Sequence, residues 1–170
     1  MKIKLLPFVA FAALLFSCSD DDDSNTVSNP EGLYRMTAFN ISEEPSDLDG
    51  DGDASTNIMN ETHCFDNSTV QINEDHTFTA NSEGLEIQID SEGNPSEFAC
   101  YDDGAISGTW SLSGNEITFT FLSDGSGDTF TYDIDADSLS YFIPDGTAFG
   151  TVGGNPAYIT SDIEIVYTKQ

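Results

Sequence analysis

The sequence predicts an all-β protein, a single antiparallel up-and-down meander closing into a small barrel, with a curved β-sandwich as the alternative. Three observations predict it. Apolar and polar residues alternate with a period of two in one segment after another from Pro30 onward. Short turn-forming clusters such as Asn73-Glu74-Asp75 and Ser113-Gly114-Asn115 separate those segments, and each is short enough to join antiparallel neighbours. No long stretch carries the period of an amphipathic helix. Strands with one apolar face each bury it, and hide their edges, most economically by closing on themselves.

In chain order, the first strand covers residues 33–41 and is followed by a long insert, residues 42–64, in which 55–61 has the composition for one or two helical turns. Short strands follow at 69–73, 77–80, 85–89, 98–101 and 106–112. The clearest alternation comes next, with Ile117, Phe119 and Phe121 set against Thr118 and Thr120, then Phe130, Tyr132 and Ile134 set against Thr131 and Asp133. Asp124-Gly125-Ser126-Gly127-Asp128 turns between those two strands, and Asp135-Ala136-Asp137 turns into a strand at 139–143. A second insert, residues 144–156, precedes the last strand, in which Ile163, Ile165 and Tyr167 share a face. The expected total is nine or ten short strands. Long loops on a rigid scaffold are where binding residues concentrate, which directs attention to the two inserts.

The amino-terminal end specifies location. Lys2 and Lys4 precede an apolar run of about a dozen residues, too short for a stable membrane span and suited to an export signal. Leu15-Phe16-Ser17-Cys18 resembles the bacterial lipobox, which implies that residues 1–17 are removed and that Cys18 carries a covalent lipid such as palmitate. Several acyl chains hold a protein firmly, at roughly 0.8 kcal/mol per buried methylene. Ser19-Asp20-Asp21-Asp22-Asp23 resembles the acidic signal that places lipoproteins of Bacteroidota-type bacteria on the outer face of the outer membrane. A run of like charges without apolar partners does not fold, so 18–30 is expected to be a lipidated, disordered tether and 31–170 one domain.

Charge removes whole classes of partner. After cleavage two fixed cations, Arg35 and Lys169, face 31 carboxylates, a formal charge of −29. Nucleic-acid binding requires cations to neutralise phosphates and is excluded on that balance. Anionic headgroups repel such a domain as well, while solubility, a monomeric state and capture of divalent cations are favoured.

Gly32-Leu33-Tyr34, the Asp-rich loop leading into Ser55-Thr56-Asn57, and Gly108-Thr109-Trp110-Ser111-Leu112-Ser113-Gly114-Asn115 resemble the lipocalin-like lipoproteins of Bacteroidota-type bacteria over nearly the whole mature chain. The resemblance implies a small up-and-down barrel. True lipocalins carry a Gly-x-Trp on the first strand, where this chain has Tyr34 and keeps its only Trp at position 110. Tyr34, Phe39, Phe78, Trp110, Phe119, Phe121, Phe130, Tyr132, Tyr141 and Tyr167 all fall in predicted strands. A barrel of about eight strands either fills with such side chains or holds one small apolar ligand, and side chains this large favour filling. Tyr101, Phe142 and Phe149 lie near loops, where exposed rings suit contact with a glycan or a protein.

Asp47-Leu48-Asp49-Gly50-Asp51-Gly52-Asp53-Ala54-Ser55 resembles the first nine positions of an EF-hand calcium loop. Calcium takes six to eight hard oxygens, which Asp47, Asp49, Asp51, the Asp53 carbonyl and Ser55 can supply, with Gly52 permitting the sharp turn. The twelfth position holds Ile58 where a bidentate Glu belongs, and Glu61 is the substitute if 55–61 is helical. A bare loop of this kind implies an affinity of about 0.1 to 1 mM. Cys64 and Cys100 are predicted to form a disulfide outside the cytoplasm, with a nucleophilic cysteine beside His63 or His76 as the rival reading. Neither histidine has zinc-site spacing, and no nucleophile elbow occurs. Asp137-Ser138-Leu139 resembles the O-glycosylation acceptor of exported proteins in this bacterial group and equally suits a hairpin turn.

The expectation is therefore a non-catalytic lipoprotein of the outer membrane, exposed at the cell surface. It binds a small apolar molecule, a glycan or a protein and carries a calcium-stabilised loop. The alternative is an accessory component of an outer-membrane complex.

Overall fold

The computed structural model describes residues 29–122 and 127–170. The signal, Cys18, the tether through residue 28 and residues 123–126 lie outside the described residues. Eight antiparallel strands form a closed barrel in sequence order: β1 (Gly32–Ile41), β2 (Thr69–Ile72), β3 (Thr77–Ile89), β4 (Pro95–Ser113), β5 (Glu116–Phe121), β6 (Thr129–Asp135), β7 (Ser138–Val152) and β8 (Asn155–Lys169). Closure is made by β8 returning to β1, with Tyr34 opposite Lys169 and Ile41 opposite Ile163.

The barrel is built from fewer and longer strands than the nine or ten expected. Segments 77–80 and 85–89 are one strand, β3, and segments 98–101 and 106–112 are one strand, β4. The polar stretches that interrupt the alternation lie opposite each other, Asn81 against Ala105 and Glu83 against Asp102, and a register slip between Asn81 and Glu83 absorbs the irregularity. Backbone pairing there does not depend on an apolar face.

The second insert, 144–156, is likewise a hairpin and not a loop. β7 and β8 pair as far as Val152 and Asn155, joined by Gly153-Gly154, whose φ angles of 60° and 81° make the two-residue turn that matches strand twist. The alternation is present but is carried by small residues: Gly146, Ala148 and Gly150 are buried in turn. A Cβ on Gly150 would lie 3.0 Å from both Ile159 Cδ1 and Ser46 Oγ, so this face has room only for the insert packed on it.

Pairing to β2 ends at Asn81 and pairing to β5 ends at Gly108, so the upper β3–β4 hairpin stands as a two-stranded arm. The upper β7–β8 hairpin makes a second arm. Between them lies the first insert, in which the only helix among the described residues is a 3-10 turn, Ile58–Asn60, capped by the Asn57 side chain. Asn57 Oδ1 accepts from Met59 N at 3.2 Å and from Phe39 N at 3.1 Å, tying the turn to β1.

Two cores result. One fills the closed end of the barrel with Tyr34, Ile72, Phe78, Trp110, Ile117, Ile134 and Leu139 among others. The second joins Met36, Phe39 and Ile41 to Ile58, Phe65, Leu85, Ala148 and Ile163, clamping the insert between the arms. The disulfide from Cys64, in this second core, to the exposed Cys100 fastens the insert to β4.

Candidate functional site

Inward positions on β5 and β6 alternate by twos, which places Phe119, Phe121, Phe130 and Tyr132 on one inner wall, with Phe119 directly opposite Phe130. Phe78 meets Phe119 edge-on at 4.9 Å and Phe121 at 5.2 Å, while Phe121 meets Phe130 at 5.4 Å and Phe119 meets Tyr132 at 5.6 Å. Edge-to-face is a preferred packing geometry for aromatic rings, so these contacts hold the four phenylalanines and Tyr132 in fixed orientations. Next to Phe78 on β3 the wall steps down to Ala80 and Ser82, too small to occupy the interior, and a cavity of about 370 Å³ remains. The expectation that large aromatics fill the barrel is met at its closed end and not here.

Among the described residues the wall is lowest between the two arms. β5 and β6 stop at Phe121 and Thr129 while the neighbouring hairpins continue as arms. The seam from β6 to β7 is only three residues long, Asp133 to Asp135 against Ser140 to Ser138. Beyond Ser140 β7 keeps its pairing with β8 but not with β6, and a register slip at Ile143/Gly146, where Asp145 takes a φ of 49°, bends it further along. Asn81, Ser82 and Asp128 are the polar lining residues, and Phe130, also in the lining, is 41% exposed.

Two hydroxyls give the apolar chamber polarity. Tyr132 and Tyr167 both line it. Burial pushes the Tyr167 phenol up to about 12. Burial raises Tyr132 further, with Tyr167 and Tyr141 adding to the effect. Both are therefore neutral near pH 7, able to donate and accept. At the closed end Tyr34 OH donates to Pro30 O at 2.9 Å and Trp110 Nε1 donates to Asn73 O at 2.9 Å.

The Asp-rich loop is a separate construction. Paired hydrogen bonds between Ser46 and Ser55 close its base. Asp47 accepts from Gly50 N at 2.8 Å and from Gly52 N at 3.1 Å, and Asp51 accepts from Asp53 N at 2.8 Å. Glu61, directly after the 3-10 turn, is only 5% exposed and accepts from Leu48 N at 3.2 Å. Its carboxyl is raised above the usual range by burial, against the Leu48 N–H, and by the nearby charges of Asp49, Asp47 and Asp51. Asp47, Asp49 and Glu61 each aim an oxygen into one group spanning at most 4.8 Å. Asp51 and Asp53 are exposed and outside that group, and Ser55 Oγ instead accepts from Asn57 N and Asn60 Nδ2. Three hard, negatively charged oxygen donors suit calcium, with water or backbone carbonyls completing its shell.

The remaining candidates stand apart. The disulfide leaves neither Cys64 nor Cys100 as a nucleophile. His63 is exposed beside Asp66 at 3.3 Å, and the His76 ring lies tilted against Trp110 with centres 4.6 Å apart. Ser138 opens β7 opposite Asp135 and Thr168, half-buried.

The sequence pattern of the lipocalin-like domain matches residues 31–141, well over half of the chain. The chain belongs to the lipocalin-like domain family. The matched span runs from β1 into β7 and includes every cavity-lining residue except Tyr167. The closed eight-strand barrel is the architecture that membership implies. No curated protein and no solved structure matches the chain. Within this lipocalin-like barrel, sequence reasoning named the aromatic wall but missed Ala80, Ser82, Asn81 and Asp128. The large-to-small step Phe78-Ala80-Ser82 was the available signal.

Proposed function

We propose that this lipocalin-like protein is a non-catalytic binding module that takes one small, mainly apolar molecule into its barrel. The observation that carries the reading is the cavity of about 370 Å³, walled by Phe78, Phe119, Phe121 and Phe130 and edged by the phenols of Tyr132 and Tyr167. Such a volume falls within the usual range of ligand pockets, apolar walls with a few polar groups are their usual chemistry, and an apolar cavity gains free energy by exchanging water for a fitting ligand.

The module acts at the cell surface. Cys18 bears the lipid, the acidic tether holds the domain clear of the outer membrane, and calcium at Asp47, Asp49 and Glu61 fixes the insert between the two arms. Membrane lipid is the partner of the anchor, and the domain is a monomer. A second reading, an accessory subunit of an outer-membrane complex, draws on Phe142, Val152 and Tyr158, which are 59%, 65% and 55% exposed on the β7–β8 hairpin.

Titration with N-phenyl-1-naphthylamine, a neutral probe that fluoresces in apolar surroundings, tests the first reading. One saturable site is expected, lost in Ala80→Trp and in Ile106→Trp, each of which fills the cavity. Absence of binding to the folded wild type overturns it.

A further inference from the structure

We infer that the cavity accepts uncharged, ring-bearing molecules with one hydrogen-bonding group and rejects anions such as carboxylates and sulfonates. The inference rests on the reading of the barrel as a small-molecule binder and narrows the class of molecule it takes.

No cation lines the cavity among the described residues. The chain's two fixed cations beyond the signal are committed elsewhere. Arg35 is exposed, with Nη1 donating to Asp66 O at 2.6 Å, and Lys169 Nζ donates to Asn29 O at 3.1 Å while lying 5.8 Å from the ring centre of Tyr34 at the closed end. The charged side chain on the cavity wall is Asp128, itself a carboxylate. The whole chain carries a formal charge of −27, so an approaching anion meets a repulsive field before it reaches the cavity. Once inside it would lose water without gaining a counter-charge, and burying an unpaired ion costs several kcal/mol. The Tyr132 and Tyr167 hydroxyls compensate a carbonyl, ether or hydroxyl group well but an ion poorly. Aromatic faces and edges along the β5–β6 wall favour a ring.

Two probes that share one skeleton test the selectivity. N-phenyl-1-naphthylamine is neutral, and 1-anilinonaphthalene-8-sulfonate differs from it by a sulfonate. Binding of each is measured to the wild type and to Ala80→Trp, with circular dichroism confirming that the variant folds and Ile106→Trp as the second cavity-filling variant. Only signal lost on filling the cavity is counted, which removes dye held on the exposed surface. The neutral probe is expected to bind at least about tenfold more tightly than the sulfonate. A smaller ratio, or tighter binding of the sulfonate, overturns the selectivity and leaves the barrel a binder. Failure of both probes overturns the binding reading itself.

Discussion

Glu61 shows how one residue can be costly alone and useful in company. Burying its carboxylate near Asp47 and Asp49 raises its pKa, so without a cation the charged form weakens the fold. Glu61→Gln keeps an acceptor for Leu48 N and removes the charge. The variant is expected to melt at or above the wild-type temperature in chelator and to lose the response to calcium. For the wild type at 10 mM calcium, a Kd of about 1 mM gives roughly 1.4 kcal/mol of stabilisation. That corresponds to a rise in melting temperature on the order of 3 to 6 °C. A wild type that does not shift, or a variant that shifts equally, contradicts the assignment. The buried tyrosines make a pH prediction. Tyr34 and Tyr167 are both raised to about 12 in the fold, so their neutral forms stabilise it fully below the unfolded value near 10. That contribution is lost as pH rises from 10 towards 12. Absorbance of phenolate at 295 nm is expected to show these tyrosines ionising together with loss of the far-ultraviolet strand signal. Ionisation of all six tyrosines near pH 10 with the fold intact contradicts it.

At the scale of elements, the two arms and the insert depend on one another. The disulfide closes a sequence separation of 36 between the insert and β4, worth about 4 kcal/mol on the chain-entropy estimate. Replacing both Cys64 and Cys100 by Ser should lower unfolding free energy by that order in denaturant titration, and limited proteolysis should cut first within the insert. A loss below about 1 kcal/mol contradicts the role assigned to the bridge. The arms were also where the sequence was hardest to read. The strands of the barrel proper, such as 117–121 and 130–134, announce themselves because a polar outer face alternates with large apolar residues. In the β7–β8 hairpin the buried positions are Gly146, Ala148 and Gly150, chosen for the space they leave, so the alternation carries no hydrophobic signal. β3 and β4 read as four pieces because charge crosses their middle, where no barrel neighbour pairs with them.

For the whole molecule, the closed barrel was legible because eight one-sided strands have few other ways to bury their faces. The cavity was not legible, because aromatic count measures how much apolar material is present and not how the rings lock. Phe78, Phe119, Phe121 and Phe130 pack edge-to-face with one another, and the small residues Ala80 and Ser82 on β3 leave the space beside them unfilled. The Asp loop was legible as a donor-rich segment, yet which three carboxylates converge depends on the 3-10 turn that carries Glu61 inward. In our account the acidity of the chain unites these features: it draws calcium to the loop and keeps anions out of the barrel. The most direct test is native mass spectrometry of the protein purified from the cells that produce it. The account predicts one small neutral molecule bound per chain and lost in Ala80→Trp. A chain that carries no such molecule, or carries it equally after the cavity is filled, contradicts the account.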